Sequence, residues 1–156
     1  MATLLHIDSS VRHTGSLSRQ LGGEFVAKWQ AANPADTIVT RDLAASPVPH
    51  LTEQLVGAFF TPPEQRNADQ AQAIKGSDAL VDELLAADII VIGAPMYNFS
   101  VTSGLKAWID NIARVGRTFS YGANGPQALV SGKKVYVFTA SGGVYSSGPG
   151  AAYDHL

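Results

Sequence analysis

Two short stretches of this chain have residue types suited to chemistry. The first, "SSVRHTGSLS", spans Ser9 to Ser18 and carries hydroxyls at Ser9, Ser10, Thr14, Ser16 and Ser18. It runs into a helical pattern, so a phosphate bound there would meet free backbone N–H groups, the positive end of a helix dipole and several hydroxyl donors. The same composition also suits a plain turn followed by an ordinary helix cap. No Gly-Lys-Ser/Thr closes the loop and Gly15 stands alone, which removes the nucleoside-triphosphate loop and the dinucleotide fingerprint. Arg12, His13 and Arg19 read as solvated side chains. The second stretch, "PMYNF", Pro95 to Phe99, places a Met, two aromatics and an Asn where Gly, Ser or Asp would ordinarily turn the chain.

A ligand that is only a phosphate has no use for "MYNF". A planar heteroaromatic ring would use Met96, Tyr97 and Phe99 as an apolar bed and Asn98 with backbone groups for its polar edge; the lesser alternative is that Tyr97 and Phe99 pack into a core or an interface. A third stretch, "SGGVYSSGPG", begins with Ser141 and the pair Gly142-Gly143, which permits close backbone approach to a flat ligand or simply a tight turn. Together the three describe one ligand, phosphate at one end and flat ring at the other, and flavin mononucleotide (FMN) has that form.

The elements that must position these loops follow from periodicity. "TLLHID" is a first strand, and Leu21, Phe25, Trp29 and Ala32 line one face of the helix after it. "DTIVTRDL" is a second strand. The stretch Ala44–Asn67, with prolines at 47, 49, 62 and 63, cannot be one helix. Leu80, Val81, Leu84 and Leu85 mark a further helix, and "ADIIVIGAP" a strand buried on both faces. Leu105, Trp108, Ile109 and Ile112 mark another helix, capped by Thr102 or Ser103. A hairpin-like segment, "RTFSYGANGPQALVSGKK", precedes the last strand, "KVYVFTAS". Alternating strands and helices predict an α/β fold, a three-layered, doubly wound parallel sheet covered on both faces. In such sheets ligands sit beyond the carboxyl ends of the strands, where all three loops lie.

Composition bounds the rest. At 156 residues, net charge −2 and 46% hydrophobic content, the chain reads as a single domain, residues 1–156. The balanced charge offers no footprint for nucleic acid, and the apolar runs are too short to span a membrane. The expected setting is cytoplasmic. Zero cysteines removes thiolate nucleophiles, cysteine-dependent phosphatase chemistry and disulfides, and the scattered His6, His13, His50 and His155 predict no metal site. A phosphoacceptor receiver on the same fold would need an acidic cluster at the strand ends, where only Asp8 is offered.

"SSVRHTGSLSRQL", "GAPMYNFSVTSGLKAWIDNIARVGRTFSYGANGPQAL" and "KKVYVFTASGGVY" resemble the FMN-dependent NADH-azoreductase (NADH:quinone oxidoreductase) family of flavodoxin-like proteins. The likeness runs from Met1 to about Tyr145. It implies a five-stranded flavodoxin-like sheet, bound FMN, homodimers, and ping-pong reduction of quinones and azo compounds by NADH or NADPH. Family FMN contacts map to Ser10, Ser16, Leu17 and Ser18 around the phosphate, to Pro95, Met96, Tyr97, Asn98 and Phe99 at the ring, and to Ala140, Ser141, Gly142 and Gly143 on its far side. Many members have Ser-Arg-Gly-Gly where this chain has Ala140-Ser141-Gly142-Gly143. Tyr121 matches a position that walls the substrate site. Phe59 and Phe60, apolar residues on the proline-broken stretch, are expected to join it across a dimer interface. Four strands are recognisable by Leu156, and a further helix and edge strand, about 30 residues for such a unit, are expected to complete the implied sheet. The competing reading is a flavodoxin-type FMN electron carrier without a substrate pocket. In either case the flavin carries the chemistry, and no side chain is required as acid or base.

Overall fold

The computed structural model describes residues Met1–His155. Six strands occur in chain order, β1 (Thr3–Asp8), β2 (Thr37–Asp42), β3 (Ile89–Pro95), β4 (Phe119–Gly122), β5 (Gly125–Ala128) and β6 (Lys134–Ala140). The helices are α1 (Leu17–Ala32), α2 (Glu53–Phe60), α3 (Ala68–Ala73), α4 (Lys75–Ala86) and α5 (Ser103–Ile112). Strands β2, β1, β3 and β6 form one parallel sheet in that order, and β4 and β5 form a separate antiparallel hairpin. The chain leaves β1 toward one edge and returns on its other side at β3, so the switch in strand order falls between β1 and β3.

Side chains alternate across the sheet and divide the core in two. On one face Leu4 and Val91 meet α1 through Val26, Phe25 and Trp29, with Tyr136 and Phe138 of β6 completing the cluster. On the other face Leu5, Ile7 and Ile90 pack against Leu80 and Leu84 of α4 and Leu105 and Trp108 of α5. The expected two-sided cover holds for β1 and β3 but not for β6. Val135 and Val137 remain about half exposed, because α4 and α5 sit over the neighbouring strands and no described helix covers this face of β6. Within the proline-broken stretch, α2 fits as an eight-residue helix between Pro49 and Pro62, its first turn capped by the Thr52 hydroxyl.

The face of α1 differs from the expected one. Its buried residues are Ser18, Gly22 and Val26, with Phe25 and Trp29 at the margin, while Leu21 and Ala32 face outward. The reason is close approach. A Cβ on Gly22 would lie 2.8 Å from His6 Nε2, and one on Gly93 would lie 3.3 Å from the Ser18 carbonyl oxygen. Small residues on both sides let the first turn of α1 descend onto β1 and β3, and that descent brings the hydroxyl-rich loop to the sheet end. Leu85 and Ile109, read as inward, are also partly exposed at the margins of their stripes.

Candidate functional site

The three loops picked out by composition meet at the carboxyl end of the sheet. A cleft of about 250 Å³ there is lined from the first loop by Ser10, Ser16, Leu17 and Ser18, from the second by Pro95, Met96 and Tyr97, and from the third by Ala140, Ser141 and Gly142. Arg12 and Gly15 complete the lining, so the cleft wall carries one cation and no carboxylate. Met96 and Ser141 are shared with an adjoining cavity of about 540 Å³ that Gly143 also lines.

Each wall has a local cause. Ser9 is used up structurally, its hydroxyl donating to the Gly93 carbonyl at 2.7 Å and pinning the loop to β3. Ser10, also buried, borders the cleft, where its Oγ accepts from Arg12 N at 3.2 Å and lies 3.3 Å from the Tyr97 hydroxyl. Ser16 caps α1 by accepting from Arg19 N, and its hydroxyl is 3.3 Å from that of Ser18, which is only 1% exposed. The first turn of α1 holds no acidic residue, so its positive end is not neutralised from within. Met96 N donates to the Ala140 carbonyl at 2.7 Å and ties the second loop to the third.

"MYNF" has a backbone reason for its composition. Asn98 and Phe99 both have positive φ, 51° and 66°, and Tyr97 and Ser100 exchange backbone hydrogen bonds around them. This is a two-residue primed turn at the end of β3, built without glycine. Asn tolerates the left-handed region, whereas Phe99 stores strain on the order of 1–3 kcal/mol. It is held there by its own ring, 5.7 Å from Tyr145 and 5.6 Å from Tyr153, and by His155 N donating to its carbonyl. As a result Asn98 is exposed and Phe99 packs on the carboxyl-terminal segment, and neither side chain lines the cleft. Asn98→Val is expected to lower stability by about 1–2 kcal/mol, whereas Asn98→Gly leaves it unchanged. Urea denaturation of the two variants measures this, and equal stability would remove the strained turn from the account.

Beneath the cleft lies a charge cluster that composition did not expose. Arg19, read as solvated, is largely buried and reaches three groups. Its Nη1 and Nη2 grip both Asp42 oxygens at 2.8 and 2.7 Å, Nη2 and Nε donate to the Ser10 carbonyl at 2.7 and 3.2 Å, and Nη1 stands 3.5 Å from Asp8. The Arg19 hydrogen bonds hold the Asp42 carboxyl well below the usual range. Burial pushes Asp8 up, against the opposing charges of His6 and Arg19, and burial likewise pulls His6 down. Facing each other at 3.7 Å, His6 Nε2 and Asp8 Oδ1 have no hydrogen-bond partner among the described residues. Arginine at this spacing has no periodic signature, and only its pairing with Asp42 across 23 residues reveals its role.

The remaining predicted residues lie elsewhere. Phe59 packs against Leu55, Ala58 and Ile74, with the Arg114 guanidinium 4.5 Å from its ring centre, so it does find a local bed. Phe60 is 65% exposed, and Tyr121, at the hairpin, is 66% exposed. None of the three borders the cleft within one chain. No group of three or more His, Cys, Asp or Glu able to hold a metal occurs among the described residues, and no described helix is long and apolar enough to cross a membrane.

Comparison with known proteins gives this geometry a lineage. A relative from Herminiimonas arsenicoxydans, an FMN-dependent NADH:quinone oxidoreductase, is 58% identical over 154 residues, covering 99% of this chain and 76% of its own. A second, FMN-dependent NADH:quinone oxidoreductase 2 of Pseudomonas putida, is 52% identical over 155 residues, again 99% and 76% of the two chains. Among solved structures, an azoreductase from Bacillus anthracis superposes with a TM-score of 0.93 at 30% identity, covering 100% of this chain and 76% of that one. The family model described as "Flavodoxin-like fold" matches residues 2–156, and the chain belongs to the flavodoxin-like family of FMN-dependent NADH:quinone oxidoreductases and azoreductases.

Proposed function

We propose that this chain is an FMN-dependent oxidoreductase that takes hydride from NADH or NADPH and passes it to quinones and azo compounds by two-electron ping-pong exchange. The observation that carries the reading is the cleft. A capped helix start, clustered hydroxyls and one arginine face it without a single carboxylate, and it opens past Met96 and Ser141 into space large enough for a ring. That donor set fits a phosphate monoester attached to a flat group. FMN bound there would supply the hydride acceptance and donation.

The chain's own part is to bind and orient. Ser10, Ser16 and Ser18 with the backbone of Leu17 would hold the phosphate. Pro95, Met96 and Tyr97 would seat the ring from one side and Ala140, Ser141, Gly142 and Gly143 from the other. Asn98 and Phe99 would act through the strained turn that fixes Tyr97. Residues 1–156 would serve as one FMN-binding domain, in a cytoplasmic setting, without nucleic-acid or membrane partners. The exposure of Phe60 and Tyr121 away from the cleft supports a homodimer in which these residues and Phe59 wall the partner's substrate pocket.

Purified protein should carry the absorption of oxidised flavin. NADH should bleach it rapidly and a quinone should restore it, whereas an electron carrier's flavin would stay yellow on mixing with NADH. Sedimentation at low micromolar concentration reads the assembly, and a monomer that still turns over NADH with a quinone would refute the shared pocket while leaving the flavin reading intact.

A further inference from the structure

A cavity of about 650 Å³ lies between the end of α2, α4 and the segment after α5, and none of its residues lines the flavin cleft. Three guanidiniums, Arg66, Arg114 and Arg117, line it together with one carboxylate, Asp78, a formal charge of +2. The floor is Phe59, with its ring under Arg114, and the exposed Phe60 stands at the same wall.

The cations are only partly answered. Arg114, 2% exposed, donates through Nη1 to Ser77 at 2.6 Å and to Asp78 at 3.1 Å, while its buried Nε has no partner among the described residues. Arg66 donates only through Nε, to the Ala58 and Thr61 carbonyls, and its terminal nitrogens make no described hydrogen bond. Arg117 reaches Asp78 at 3.5 Å and Asp82 at 2.6 Å. Burial, and behind it the charges of Arg66 and Arg117, pull Arg114 below the ordinary guanidinium range. Three forks of fixed geometry with spare donors, turned into one cavity, match an oxyanion that accepts several hydrogen bonds at once.

We propose that this cavity binds a phosphoryl group, held by Arg66, Arg114 and Arg117 above the Phe59 ring. A phosphoryl group is favoured over a carboxylate because it offers three oxygens to the three guanidiniums, while Asp78 and Asp82 already answer two of the three cations. The apolar wall of Phe59 and Phe60 gives room for the organic part of a phosphate ester, so the source is either inorganic phosphate or such an ester. The cavity shares Phe59 and Phe60 with the wall proposed for the partner's substrate pocket; its test uses FMN-loaded protein so that the cleft is already filled, and the arginine variants below separate binding here from binding over the flavin.

Calorimetric titration with inorganic phosphate and, separately, with phenyl phosphate should show binding of one or both at millimolar concentration. Phenyl phosphate alone would identify the ester as the source, and equal affinity would identify the free ion. Arg117→Ala, at a half-exposed position, should weaken binding about tenfold, the loss of one charge-assisted contact, and Arg66→Gln added to it should abolish binding. Arg66→Gln keeps a donor for the Ala58 and Thr61 carbonyls, and thermal denaturation verifies that each variant is folded. Absence of binding by both probes, or affinities unchanged in the folded variants, would overturn the proposal.

Discussion

Arg19→Met is expected to lower the stability of the protein by about 3 kcal/mol at neutral pH, the scale for removing one partner of a largely buried ion pair. The side chain does three jobs from one position. It neutralises Asp42 in a two-pronged contact, stands beside Asp8, and closes the Ser10 carbonyl with two donors. Methionine fills similar space but leaves two carboxylates and a carbonyl without a cation. Arg19→Lys should recover only part of the loss, since one ammonium cannot span the same fork.

The pH dependence separates this account from simple loss of packing. Asp42 has a folded pKa below its unfolded value, so its contribution is present above the ordinary carboxylate range and fades as pH falls toward the folded pKa. Asp8 has the opposite sign. Burial raises it, Arg19 opposes the rise, and without Arg19 its burial becomes more costly as pH increases. Both effects make the variant worst at neutral pH and nearest to wild type in acid. Urea denaturation at pH 7 and pH 3 should therefore show the gap narrowing. A gap of the same size at both would assign the loss to packing. Because Arg19 also fixes Ser10, FMN affinity should fall alongside stability.

Arg19 also marks where the sequence stops being legible. The continuous run Ile89–Ile92 identified β3, because a strand buried on both faces admits little else, and the strand-to-helix alternation identified the doubly wound sheet. The inner face of α1 was not legible, because the residues that press against β1 and β3 are Ser18 and Gly22, which hydrophobic periodicity does not register. Composition brought the three loops together correctly, yet it could not separate Ser9, which is spent on Gly93, from Ser10, which faces the cleft. Nor could it foresee that Asn98 and Phe99 would serve the site through positive φ. A residue's type indicates what it could bind, while the backbone angle decides where it points. The cations were least legible of all. Arg19 and Arg114 matter through partners 23 and 36 residues away in sequence, a separation that no local pattern encodes.

The double replacement Ser16→Ala with Ser18→Ala is expected to weaken FMN binding by about 3 kcal/mol, near a hundredfold, at 1.5 kcal/mol or more for each hydrogen bond to a charged group. The two hydroxyls sit 3.3 Å apart at the start of α1, on a wall that lacks any carboxylate, so each can turn a proton toward a phosphate oxygen. Ser16 has a second duty as the helix cap, and its loss should cost about 1 kcal/mol of stability whether or not FMN is present. Ser18 has no capping role, but it is buried over Gly93, where alanine fits the space. The single variants therefore divide the two effects. Ser18→Ala should weaken FMN binding with little change in the apoprotein's stability, and Ser16→Ala should lower both. Fluorescence titration of apoprotein with FMN, set beside urea denaturation of the same apoprotein, measures the two quantities independently. If riboflavin, which lacks the phosphate, loses as much affinity as FMN in the double variant, the hydroxyls are serving the loop's shape and the phosphate must be held elsewhere. If only FMN is weakened, the helix start is its phosphate site.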